Sequence, residues 1–143
     1  MAYALVAGAA LAFVNIQTSP LIEANRIEAQ NRARTQVLPG MDGGFEEKTT
    51  GNGFSYWAGY SDAGQNQIGG YIFIAYGPGY SSTIQTMVGV NTEFEIQGAV
   101  VLYQQETPGL GAKVEEVRHG ESSPWFTAQF EGMTLGSGLS VQK

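Results

Sequence analysis

The chain has 143 residues, enough for one domain with a genuine core and too few for two comfortable ones. A formal charge of −6 and a pI near 4.6 argue against a phosphate-reading surface, which needs clustered Lys and Arg, so nucleic acid is not expected as a partner. With no cysteine, disulfides, thiolate catalysis, cysteine-ligated zinc, iron–sulfur clusters and c-type haem attachment all fall away, and the compartment has to be read from a targeting segment.

Met1 to Ile16, MAYALVAGAALAFVNI, carries no charge and is apolar apart from Tyr3 and Asn15. As a helix it spans about 24 Å, short of the roughly 30 Å hydrocarbon core of a bilayer. Three readings stay open: a membrane anchor that lacks its first residues, the apolar region of a signal peptide, and a buried helix. The positive n-region of a signal peptide is absent, and the anchor is the reading carried forward. Gly8 with Ala7, Ala9 and Ala10 would suit close packing against other membrane subunits. Arg26, Arg32 and Arg34 would, by the positive-inside rule, favour a cytoplasmic domain, against the extracytoplasmic placement adopted below.

From Ser19 to Gln36 the chain turns polar, with Leu21, Ile22 and Ile27 at helical spacing, and Ser19-Pro20 reads as an N-cap and first turn. Leu38, Pro39 and Gly40 end this helix. Met41 to Gly53, rich in Gly, Glu and Thr, reads as a loop or linker.

Strand signals follow. Phe54 to Tyr60 is aromatic, Gly69 to Tyr76 (GGYIFIAY) is rich in β-formers, and Thr83 to Val90 resumes the pattern beyond a Gly-Pro-Gly turn. Val90 to Phe94 predicts a hairpin around Asn91, with Glu95 to Tyr103 as the returning strand, interrupted at Gly98. Ser122, Ser123 and Pro124 predict a helix over Trp125 to Phe130 that offers Trp125, Phe126 and Phe130 to one face, with Gly132 ending it. The expected fold is α+β, an antiparallel sheet with flanking helices, preceded by an N-terminal transmembrane helix. Residues 1–17 are the anchor, 18–40 a helical connector and 41–143 the domain.

Few residues offer chemistry. His119, the only histidine, lies between Arg118 and Gly120 in a polar segment and reads as a solvated loop residue, which makes a Ser-His-Asp triad or a multi-histidine metal site hard to assemble. No Walker loop and no GxGxxG opening a helix is present. What remains is Gln104 to Lys113, QQETPGLGAK, directly after a predicted strand. Thr107-Pro108-Gly109 fixes a turn, and Gly109 and Gly111 allow the backbone to approach a flat ligand. Exposed amides could hold the edge of such a ring, with Leu110 covering an apolar face and Glu106 buttressing the loop. A plain turn with a capping glutamate satisfies the same residues.

The run Tyr103 to Gly111, YQQETPGLG, resembles the ETPGLG element of the FMN-binding domain found in the G subunit of the Rnf complex and in the C subunit of the sodium-pumping NADH:quinone reductase. Gly77-Pro78-Gly79-Tyr80 with Ile84 to Val90 is similar to that family's GxGY segment and strand, and Asn91 to Gly98 to its hairpin. Ser123-Pro124-Trp125-Phe126 with Phe130 resembles its tryptophan-containing helix, and Asn15 to Ile22 (NIQTSPLI) the end of its membrane anchor. The resemblance implies FMN as cofactor, with Glu106, Thr107, Gly109, Leu110, Gly111 and Tyr80 at its site. It further implies a single-pass subunit of the inner (plasma) membrane, its domain on the extracytoplasmic side. There it would pass electrons within an Rnf-type ion-translocating ferredoxin/NAD oxidoreductase, with other membrane subunits as partners. The family attaches FMN to the threonine of a Ser/Asp-Gly-Ala-Thr string that these 143 residues do not contain; Gly136-Ser137-Gly138-Leu139-Ser140 comes nearest and lacks the Ala-Thr pair. A flavin-free assembly subunit of the same kind of complex is the alternative expectation.

Overall fold

The computed structural model describes residues 2–121, 123–134 and 136–137. Helix α1 runs over Ala2–Val37, and the chain divides into two units, Met1–Arg32 and Ala33–Lys143.

The first unit is helical throughout its described length. Ser19-Pro20 does not start a new helix as expected: Pro20 lies inside α1, where its ring removes one backbone donor. Thr18 Oγ1 donates to the carbonyl of Val14 at 2.9 Å, the local back-bonding that lets a helix keep a polar residue on its surface. Leu11, Phe13, Val14, Ile16, Leu21 and Ile22 are all exposed. The segment expected to be a transmembrane anchor is helical, but among the described residues no helix is long and apolar enough to cross a membrane. The physical reason is in the sequence: Asn15, Gln17 and Thr18 close the apolar run, and Glu23 and Arg26 follow within two turns or so of Thr18.

The second unit is a five-stranded antiparallel meander, order β1-β2-β3-β4-β5, formed by Gly44–Thr49, Ser55–Tyr60, Ile68–Pro78, Thr83–Asn91 and Ile96–Tyr103. Four of the strands fall where β-branched and aromatic residues predict them. β1 corrects the loop reading of Met41 to Gly53. Its sequence, GFEEKT, lacks apolar alternation because it is an edge strand, held by pairing with β2 from Gly44↔Tyr60 to Thr49↔Ser55.

Register assigns the two faces. Ile72 pairs with Trp57 and Gly89, and Met87 with Ile74 and Val100, which places these residues on one side. There the end of α1 and the residue after it supply Ala33, Val37 and Leu38, which join Ile72 and Met87 as the buried core, with Phe45, Trp57 and Leu102 packed around them. Gly98 does not interrupt β5. It pairs with Gly89 in the ladder, and both glycines are buried under the backbone of Val37.

The other face carries Ala75, Thr86, Val88, Ala99 and Val101. A 3-10 helix, Gly111–Glu115, and a short helix α2, Trp125–Ala128, contribute Val114, Phe126 and, just beyond α2, Phe130 against it. The helix predicted from Trp125 to Phe130 is thus a single turn. Pro124 precedes it without a side-chain cap, and Ser122 lies outside the described residues. The rings form an edge-to-face chain, Trp125 to Phe126 at 5.7 Å and Phe126 to Phe130 at 5.6 Å between centroids. Beyond α2 the chain returns to the sheet, with the N–H of Gly132 donating to Ile96 O and that of Ile96 to Met133 O.

Candidate functional site

β4 begins where β5 ends, with Gln85 paired to Tyr103, so the loop before β4 and the bend after β5 lie at the same end of neighbouring strands. Between Pro78 and Thr83 the loop Gly79–Ser82 is closed by the Gly79 N–H donating to Ser82 O at 2.8 Å. After Tyr103, the Leu110 N–H donates to Thr107 O at 3.1 Å, and Gly109 has a φ of 78°. Proline at the second position, positive φ at the third and a first-to-fourth hydrogen bond are the signature of a type II turn. The Thr107-Pro108-Gly109 turn read from the sequence is there, and Gly109 is required by its backbone angle.

Glu106 joins the two segments. Its carboxylate accepts the N–H groups of Tyr80 (3.2 Å), Ser81 (3.1 Å) and Ser82 (3.0 Å) and the Ser82 hydroxyl (3.0 Å). The same hydroxyl accepts the N–H of Gln105 at 2.9 Å, and the Glu106 N–H donates to Gln104 Oε1 at 2.7 Å. Glu106 and Thr127 are the buried polar side chains among the described residues. Desolvation pushes the Glu106 carboxyl up, but the donors from Ser81, Ser82 and Tyr80 together outweigh it and hold the carboxyl below the ordinary glutamate range.

The glycines of the bend divide into two kinds. A Cβ at Gly109 would meet nothing within 4 Å, so that position answers only to its φ, whereas Gly111 makes room for Glu106 itself. A Cβ at Gly111 would lie 2.7 Å from Glu106 Cβ, and one at Gly79 would lie 2.3 Å from Glu106 Oε1 and 2.8 Å from Ser82 O. Gly79→Ala is therefore expected to displace the carboxylate and speed amide exchange at Ser81 and Ser82. Gly109→Ala should cost only the roughly 1 kcal/mol of left-handed backbone strain. Thermal melting and hydrogen exchange of the two variants check this, and identical exchange at Ser81 and Ser82 in both would refute it.

With Glu106 wedged between Gly79 and Gly111, the residues next to each glycine stand out from the surface. Tyr80 is 97% exposed and Leu110 is 73% exposed. Thr107 is also exposed, and among the described residues the backbone N–H groups of Thr107 and Gly109 have no hydrogen-bond partner. All six residues singled out from the sequence, Tyr80, Glu106, Thr107, Gly109, Leu110 and Gly111, thus fall in two adjoining segments. Sequence reasoning missed Ser82, whose hydroxyl ties both segments together; a serine in a turn gives no sign of a partner 24 residues away. It also missed the 3-10 helix after the bend. His119 is exposed in a turn, as expected. Among the described residues no group of His, Cys, Asp and Glu could hold a metal ion. Gly138, Leu139 and Ser140, of the string nearest an attachment motif, lie outside the described residues.

Comparison with known proteins places these features in a family. The FMN-binding domain family matches residues 79–139, a span that opens on the Gly79–Ser82 loop and takes in the bend, the 3-10 helix and α2. Over 157 aligned positions, 99% of this chain is 30% identical to the G subunit of the ion-translocating oxidoreductase complex of Pseudomonas aeruginosa, of which 70% is covered. Over 152 positions the chain is 31% identical to the G subunit of the Na(+)-translocating ferredoxin:NAD(+) oxidoreductase complex of Acetobacterium woodii, covering 96% of this chain and 69% of that one. A shorter stretch of 59 residues, 41% of this chain and 26% of the relative, reaches 44% identity with the corresponding G subunit of Shewanella oneidensis. With a clamped pair of loops at the start and middle of the matched span, the chain belongs to the family of G subunits of ion-translocating oxidoreductase complexes and carries their FMN-binding domain, whose cofactor is FMN.

Proposed function

We propose that this chain is a membrane-associated electron-transfer subunit of an Rnf-type ion-translocating oxidoreductase, with FMN held where the Gly79–Ser82 loop meets the Thr107–Gly111 bend. The observation that carries the reading is the Glu106 carboxylate. A buried ionised side chain that binds three consecutive backbone N–H groups fixes two loops whose outward residues, Tyr80 and Leu110, are left uncovered.

The residues present fit the group. A flavin ring has two apolar faces and one edge rich in hydrogen-bond acceptors and donors. Leu110 and Tyr80 offer apolar surface, and the unpartnered N–H groups of Thr107 and Gly109 suit the acceptors of that edge. When bound, FMN supplies a centre that takes up and releases one or two electrons. The chain's own part is to orient the ring through the bend amides, to exclude water with Leu110 and Tyr80, and to keep both loops in place through Glu106. The ionised Glu106 and the acidic balance of the chain also disfavour added negative charge on the ring, which lowers its potential.

The membrane enters through α1. Its apolar residues between Leu11 and Ile22 are exposed, and we assign them to contact with lipid or with other subunits of the complex, the domain lying on the extracytoplasmic side in the inner membrane. The relatives are named as subunits of complexes, and the same kind of partners is proposed for this chain.

Absorbance tests the reading. Purified chain incubated with FMN and passed through a desalting column is expected to stay yellow at about one flavin per chain, and Leu110→Ala with Tyr80→Ala is expected to lose most of that colour. A colourless wild-type sample would overturn the placement of FMN at the two loops and favour the flavin-free assembly role.

A further inference from the structure

Gln104 reaches both ends of the segment that contains the bend. Its Oε1 accepts the N–H of Glu106 at 2.7 Å, and its Nε2 donates to Glu115 Oε2 at 2.9 Å, eleven residues along the chain. The two partners decide which way the amide faces, because a backbone N–H needs the oxygen and a carboxylate needs the NH2 group. One planar side chain thus serves a donor on one side and an acceptor on the other. A glutamate at 104 would still accept from Glu106 but would set a second carboxylate against Glu115, and a leucine would satisfy neither partner.

The pair of bonds closes residues 104–115 into a loop. Inside it lie the Thr107-Pro108-Gly109 turn, with its unpartnered Thr107 and Gly109 N–H groups, and the 3-10 helix. The backbone bonds that join the turn to that helix are long, Ala112 N–H to Thr107 O at 3.4 Å and Lys113 N–H to Leu110 O at 3.3 Å. Beyond the helix the Trp125 N–H donates to Glu116 O at 3.3 Å, which ties the segment to the start of α2. Glu106 fixes the near side of the bend to the Gly79–Ser82 loop, and Gln104 is the side chain that fixes its far side.

We propose that Gln104 is a positioning residue: by closing residues 104–115 it holds the 3-10 helix against the bend and so sets the direction in which the Thr107 and Gly109 amides face. The proposal rests on the function proposed above, and in it Gln104 acts on the flavin through the bend rather than by contact. A bend already closed meets its ligand without first being ordered. Loss of the closure therefore weakens binding by no more than the closure is worth, roughly threefold to tenfold for one hydrogen bond of this kind.

Four variants of the full chain test it: Gln104→Glu, Glu115→Gln, the two combined, and Glu115→Ala. FMN affinity is measured by equilibrium dialysis. Hydrogen exchange at Ala112, Lys113 and Glu116, whose N–H groups are bonded within this segment or at its end, reports the closure without ligand. Gln104→Glu and Glu115→Ala should each weaken FMN binding by roughly threefold to tenfold and speed that exchange. Glu115→Gln keeps an acceptor for Gln104 Nε2 and should stay close to wild type. In the combined variant amide and carboxylate trade places, and it should recover what Gln104→Glu loses, a recovery that lost stability alone does not produce. Should the combined variant bind no better than Gln104→Glu, or Glu115→Ala bind like wild type, the positioning role is overturned and the FMN reading stands. A wild-type chain that takes up no FMN overturns both. Glu115 is exposed, so Glu115→Ala and Glu115→Gln decide the matter where a charge at 104 prevents folding.

Discussion

Gly89→Val is expected to destabilise the domain by about 3 kcal/mol or more and to lower its melting temperature by roughly ten degrees or more. A Cβ at Gly89 would lie 2.2 Å from the carbonyl oxygen of Val37 and 2.7 Å from its carbonyl carbon. Those are backbone atoms, so no rotamer change relieves the clash. The whole segment would have to lift from the sheet, and with it Val37 and Leu38, which are 0% and 2% exposed and account for much of the core on that face. Gly98, the cross-strand partner, lies under the same residue, with a Cβ position 3.0 Å from Val37 Cα, so the two glycines form one seat. Gly51→Val is the control. Nothing lies within 4 Å of its Cβ position, and its effect should stay within about 0.5 kcal/mol. Thermal melting of the two variants measures the contrast, and equal midpoints would remove the seat from the account of stability.

That seat also shows where sequence reading stops. Strands β2 to β5 were legible because Tyr, Ile, Phe and Val cluster between turn residues, and the α+β class followed. Gly98 reads locally as an interruption. Its reason is contact with Val37, about sixty residues earlier in the chain, and no local pattern carries that. β1 was missed for a related cause: Glu46, Glu47 and Lys48 carry no apolar alternation, and only pairing with β2 makes them a strand. Pro20 misled in the opposite direction. It reads as a helix start after Ser19, yet α1 continues through it, since an exposed helix can lose one backbone hydrogen bond without breaking.

The candidate site divides the same way. The turn at Thr107–Leu110 was legible because Pro and Gly encode their own dihedral angles, whereas the partners of Glu106 were not, since they stand 24 to 26 residues away. The sequence suggested that Gly111 lets a ligand approach; the structure adds a second reason for the glycine, since its missing Cβ makes room for Glu106. Through that single contact a bend read in isolation becomes half of a two-loop clamp.

Glu106→Gln is expected to loosen that clamp without altering its volume. The carboxylate is an acceptor at both oxygens, and both are used: Oε1 by Ser81 and Ser82, Oε2 by Tyr80. An amide keeps one acceptor and turns an NH2 group toward a backbone donor, so at least one of the three N–H groups is left without a partner. Amide exchange at Tyr80, Ser81 and Ser82 should rise at neutral pH, and FMN affinity should fall by roughly tenfold through the misplaced Tyr80 and Leu110, on the scale of a lost charge-assisted hydrogen bond. Acid provides an independent check on the wild-type chain. Because folding lowers the Glu106 carboxyl below its ordinary value, the ionised clamp contributes its full stability above that value and loses it as pH falls through the lowered one. Protection of the three amides in the wild type should therefore persist down to the ordinary glutamate range and fade below it, while Glu106→Gln shows no such step. The carboxylate is the origin of the clamp only if the two proteins differ in this way; matching exchange profiles across the titration would assign the order of the Gly79–Ser82 loop to its own hairpin closure.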